Sequence, residues 1–140
     1  MNYPHSIAEV IDDAMIFRPE ILEVAEKFKG THPWRGTINE RKAKFAALHA
    51  DLCQIFGKRT TLGFGRIDGS PSDNSSYCRC ADTITLRGRL SVVTYLHEFA
   101  HALGLDERGA CEWSLNLFRQ IFPKIFSRGM KDGHMLRVPR

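Results

Sequence analysis

From Leu90 to Leu103 the chain is largely apolar, and the exceptions that stand out are His97, Glu98 and His101. Leu90, Val93, Leu96, Ala100 and Leu103 recur at helical spacing, and Gly104 stands where a left-handed residue would cap the helix. A helix this apolar belongs inside, so the rest of the chain must fold around it. The polar side chains it carries inward then need partners, because an unpaired polar group taken out of water costs about 2–7 kcal/mol. His97 and His101 are four residues apart, which sets both imidazoles on one face, one turn above the other. Two such nitrogens can meet one zinc ion. Glu98 can then reach a water on that ion without ligating it.

The flanking sequence supplies the elements that wrap this helix. Ile7, Val10, Ile11, Ala14 and Met15 form one apolar stripe, so the spacing predicts a first helix over SIAEVIDDAMIF. PEILEVAEKFKG opens with Pro19 at a first-turn position and meets Gly30 as a stop. Thr37 and Glu40 have the spacing of a capping box, and a longer apolar stripe follows from Phe45 to Phe56, ending at Gly57. TTLGFGRI has the content of a strand, with Gly63 and Gly65 marking a bulge or a close approach by another backbone. DGSPSDNSS reads as a loop, and ADTITLRG alternates as a strand with one buried and one wet face. After the central helix Asp106 can cap another, which Pro123 disturbs, and the basic residues 127–140 read as a loop or tail. These elements make one small α+β domain over residues 1–140, consistent with the size of a single core.

Composition narrows the setting. A net charge of +4 suits acidic partners but is small, so nucleic acid is a weakly supported partner. Glu9, Asp12 and Asp13 interrupt any secretory signal, and no apolar run is long enough to span a bilayer, so a cytoplasmic location without membrane contact is expected. Cys53, Cys78, Cys80 and Cys111 are too few and too unevenly spread for a disulfide framework and are expected as free thiols. Cys78 and Cys80 can ligate a soft metal only if another thiolate or imidazole joins them.

A catalytic zinc usually takes three protein ligands, leaving one position open. Glu107 and Glu112 are the two candidates for the third. On the helix beginning near Asp106, Ala110, Cys111, Ser114, Leu117, Phe118 and Ile121 form the less polar face, and Arg108, Glu112, Asn116, Arg119 and Gln120 the more polar one. Glu107 belongs with the first group and is favoured, because a ligand must face the preceding helix.

His97, Glu98 and His101 form an HExxH motif, and the segment to Glu107 extends it to HExxHxxGxxE. In this the chain resembles the zincin metallopeptidases, over about residues 81–122. The extension is similar to that of the metzincins, in which histidine or aspartate normally stands where Glu107 does, whereas a glutamate ligand resembles the gluzincins. Small intracellular zincin-like proteins of the SprT or phage-regulator type are a further resemblance. The resemblance implies a small zincin-like fold and a zinc-dependent endopeptidase acting on a protein or peptide. His97, His101 and Glu107 would hold Zn2+, and Glu98 would be the general base for the attacking water and the donor to the leaving amine. It also gives ADTITLRG a role as the strand whose edge pairs with substrate, beside its plain reading as a sheet strand. Met130 or Met135 would have to serve as the metzincin methionine turn. Tyr77, Tyr95 and His134 are candidate oxyanion stabilisers, none singled out. A cysteine of SPSDNSSYCRC, with Cys80 the one to test, is a candidate inhibitory ligand. The alternative is a metal-binding regulatory or nucleic-acid-associated protein of the same fold with little hydrolysis.

Overall fold

The computed structural model of the protein describes residues 7–131. Its elements run α1 (Ile7–Val10), α2 (Pro19–Gly30), α3 (Ile38–Phe56), β1 (Thr61–Phe64), a short 3-10 turn (Ser72–Asn74), β2 (Ser76–Cys78), β3 (Thr83–Leu86), α4 (Val92–Ala102), α5 (Glu107–Ile121) and α6 (Pro123–Lys131). This is an α+β fold, as expected.

Local chemistry sets most helix ends. The Thr37 hydroxyl accepts from the Glu40 N–H at 3.1 Å while the Glu40 carboxylate accepts from the Thr37 N–H at 2.8 Å, closing the capping box ahead of α3. Gly57 then ends α3 with φ 64°. The Ser91 hydroxyl caps α4 on the Thr94 N–H at 3.2 Å, and Gly104, at φ 96°, turns the chain just past its end. Two residues on, the Asp106 carboxylate accepts the Gly109 N–H at 2.8 Å and starts α5.

Several expectations are corrected. The first helix stops at Val10 instead of running on to Met15, because the tertiary structure claims its backbone groups. Asn116 of α5, buried against this segment, donates to the Val10 carbonyl at 2.8 Å and accepts from the Asp12 N–H at 2.9 Å. Asn116 therefore leaves the polar face on which its residue type had set it. The serine-rich loop holds the 3-10 turn and part of β2. At Gly65 it is the Arg87 side chain, not another backbone, that lies where a Cβ would stand, its Cγ only 2.7 Å away. Pro123 ends α5 but begins α6, so residues 127–131 are helical and not part of a tail. The remaining tail residues, with His134 and Met135, lie outside the described residues.

The sheet has the order β1-β3-β2, with β1 parallel and β2 antiparallel to β3. In β3 Ile84 and Leu86 are buried and alternate with half-buried Thr83 and Thr85, the expected wet and dry faces. α4 is buried along almost its whole length, packed chiefly on α5. Tyr95 and Phe99 of α4 meet Phe45 of α3 and Trp113 of α5 through aromatic pairs with ring centroids about 6 Å apart. No described helix is long and apolar enough to cross a membrane.

Candidate metal centre

α4 presents His97 and His101, and α5 presents Glu107 from its first turn, the helices being joined by residues 103–106 alone. His97 and His101 have their Nε2 atoms 3.2 Å apart. Glu107 spans the pair, with Oε1 2.5 Å from His97 Nε2 and Oε2 3.7 Å from His101 Nε2. A tetrahedral zinc with Zn–N bonds of about 2.0–2.1 Å holds its nitrogen ligands about 3.3–3.4 Å apart, which the two imidazoles match. His101 Nδ1 lies 2.9 Å from the Leu105 carbonyl oxygen. A carbonyl can only accept, so neutral His101 carries its proton on Nδ1 and turns the Nε2 lone pair toward His97 and Glu107.

The electrostatics match a site short of positive charge. Burial, then the neighbouring His101, lowers His97 to a pKa of about 3, so its contact with Glu107 joins a carboxylate to a neutral ring and is not an ion pair at pH 7. Glu98 is 4% exposed, and burial, then the charge of Glu107, pushes it up to about 8, opposed by the Tyr77 backbone N–H. The neutral His97 ring beside Glu107 and the destabilised carboxyl of Glu98 are what a divalent cation would relieve. The donor set could hold a divalent cation, with the Glu107 carboxylate turning to widen its 2.5 Å approach to His97 Nε2.

These groups open onto a cleft of about 520 Å³, walled on the far side by Ser75, Ser76, Tyr77 and Arg79 of β2 and its flanks. Glu112, the other candidate ligand, is held by Arg108 at 3.0 Å. Two of the candidate oxyanion stabilisers are already engaged: the Tyr77 hydroxyl donates to Asp82 at 2.8 Å, and the buried Tyr95 hydroxyl lies 2.7 Å from His49 Nδ1. β3 is paired on both sides, which corrects its assignment as the strand that would take up substrate; among the described residues β2 is the edge strand beside the cleft. Cys78 and Cys80 are exposed free thiols, and the residue between them, Arg79, is the one that lines the cleft.

Sequence reasoning missed Cys111. Its Sγ lies 4.0 Å from His97 Nδ1, and donor atoms of His97, Glu107 and Cys111 fall within 4.8 Å of one another. The available signal was its spacing, one helical turn after Glu107 on the same face of α5. Burial, followed by the charges of Glu107 and Glu112, pushes the thiol up to about 12, so it stays protonated. Compared with protein-family models, curated proteins and solved structures, the chain matches none.

Proposed function

We propose that the protein is a zinc-dependent endopeptidase. The observation that carries this reading is the convergence of His97 Nε2, His101 Nε2 and the Glu107 carboxylate beside buried Glu98, at the wall of an open cleft. Zinc held there would supply Lewis acidity toward the scissile carbonyl and bring the pKa of a water to about 7. Glu98 accepts a proton from the attacking water and passes it to the amine as the peptide bond breaks. The low exposure of Glu98 keeps bulk water from competing for that proton. Among the described residues β2 has a neighbour on one side only, and it borders the cleft, so it is suited to pair with an extended peptide, with Ser76 and Tyr77 opposite the substrate backbone. The four free cysteines suit a reducing compartment, and the cytoplasm is our expectation.

Elemental analysis of protein purified without added metal, before and after a chelator, tests the centre: one zinc per chain is expected, and far less counts against it. Cleavage of an unstructured protein substrate tests the chemistry. Glu98→Gln should abolish cleavage and spare metal content; unchanged cleavage would refute the assignment. Bound zinc with no cleavage in the unsubstituted protein would favour the metal-binding regulatory reading instead.

A further inference from the structure

We propose that Cys111 is a positioning residue that holds the His97 ring at Nδ1 and so fixes the direction of Nε2. The inference rests on the zinc reading above and concerns how one ligand is aimed. An imidazole that ligates zinc through one nitrogen needs its other nitrogen held, which sets both ring orientation and tautomer. His101 has this support from the Leu105 carbonyl. For His97, Cys111 Sγ stands on the Nδ1 side of the ring at 4.0 Å, while Glu107 stands on the Nε2 side. Glu107 and Cys111 are one turn apart on α5, so a single helix grips the ring from two sides. Cys111 is fully buried, as is most of His97, so neither group exchanges this contact for solvent.

The choice of a thiol has a physical reason. A carboxylate or carbonyl is the common partner at this position. Here Glu98 and Glu107 already crowd the site with acidic groups, and a third carboxylate would add repulsion in a dry setting. A neutral thiol is a weak donor and a weak acceptor, so it can serve either tautomer of His97 without adding charge. Its Sγ lies against Nδ1, the nitrogen turned from Glu107, and on that ground we assign it as a support of the ligand; a place among the donors with His97 and Glu107 is the outcome that would overturn the assignment.

The test uses the full chain in four forms: unsubstituted, Cys111→Ala, Cys111→Ser, and Leu115→Val as a control that trims the buried face of the same helix. Zinc affinity is measured by competition with a chromophoric chelator, and the imidazole nitrogens are observed by 15N NMR. Loss of an outer partner of this kind costs about 10–100-fold in metal affinity. Cys111→Ala should show that loss and move the His97 nitrogen resonances while leaving those of His101 in place. Cys111→Ser should fall between, and Leu115→Val should change neither readout. Zinc affinity and His97 resonances unchanged in Cys111→Ala would overturn the proposal. So would a sulfur-to-metal charge-transfer band in the cobalt-loaded protein that disappears in Cys111→Ala, since the thiol would then be a ligand. If the unsubstituted chain takes up no zinc, the enzyme reading fails; the His97 nitrogens of the metal-free chain still decide this inference, upheld if Cys111→Ala moves them and overturned if it does not.

Discussion

Replacing Glu98 by glutamine should stabilise the metal-free protein, and the gain should grow with pH. Burial and the charge of Glu107 raise the folded-state pKa of Glu98 from 4.5 to about 8. Below pH 4.5 the carboxyl is protonated in both folded and unfolded chains and has no effect on the balance between them. As pH rises from 4.5 toward 8 the unfolded chain ionises first, and native stability falls by about 1.4 kcal/mol per pH unit. At pH 7 the loss reaches about 3 kcal/mol as a ceiling, since relaxation and water entry reduce it. Above pH 8 it stops growing. Glu98→Gln keeps the shape of the side chain but has no proton to lose, so its stability should lack this slope. At about 3 °C per kcal/mol for a domain of this size, the variant should melt up to roughly 10 °C higher at pH 7 and at the same temperature as the parent near pH 4.5. The assay is thermal or urea unfolding of chelator-treated protein across pH 4.5–8.5. Restoring zinc should narrow the difference, because a cation at His97, His101 and Glu107 offsets the charge of Glu107. Parallel pH profiles for the two metal-free proteins would refute the argument.

Three other outcomes follow from the geometry. Glu107→Ala should lose zinc in an equilibrium dialysis assay, whereas Glu112→Ala, which breaks only the contact with Arg108, should keep it. Tyr95→Phe removes the hydroxyl beside His49 Nδ1 inside the core and should lower unfolding free energy by about 1–3 kcal/mol in urea titrations, with an unchanged m-value. Burial lowers the pKa of His49 against the opposing effects of Thr60 and Asp82. Stability should therefore be full above its unfolded value of about 6.5 and decline as pH falls below it. His97, lowered to about 3, declines over the same range, so the His49 part is the portion of the decline that His49→Gln removes, read by urea titration in the Glu98→Gln background.

The four longer helices were legible because their apolar stripes repeat at helical spacing and because Thr37, Gly57, Gly104 and Asp106 act through their own local backbone. α1 was not, since its end depends on Asn116, over a hundred residues away in the chain. β2 is three residues long and lies in serine-rich sequence that reads as loop, so neither periodicity nor composition announces it. Once β2 is hidden, β3 looks like an edge strand, and the misplaced substrate strand follows from that single omission. The proximity of His97, His101 and Glu107 was legible from helix geometry: the four-residue step sets His97 against His101, and the apolar face of α5 carries Glu107 toward them. Cys111 shared that face, yet a small buried thiol resembles core filling until its distance from His97 is known.

The turn of residues 103–106 puts Glu107 only ten positions after His97. Bringing such near neighbours together closes a short loop and sacrifices little chain entropy, so contacts between α4 and α5 are among the quickest the molecule can make. The three donors that we propose for an ion thus sit within one helical hairpin, and bringing them together requires only that short loop to close.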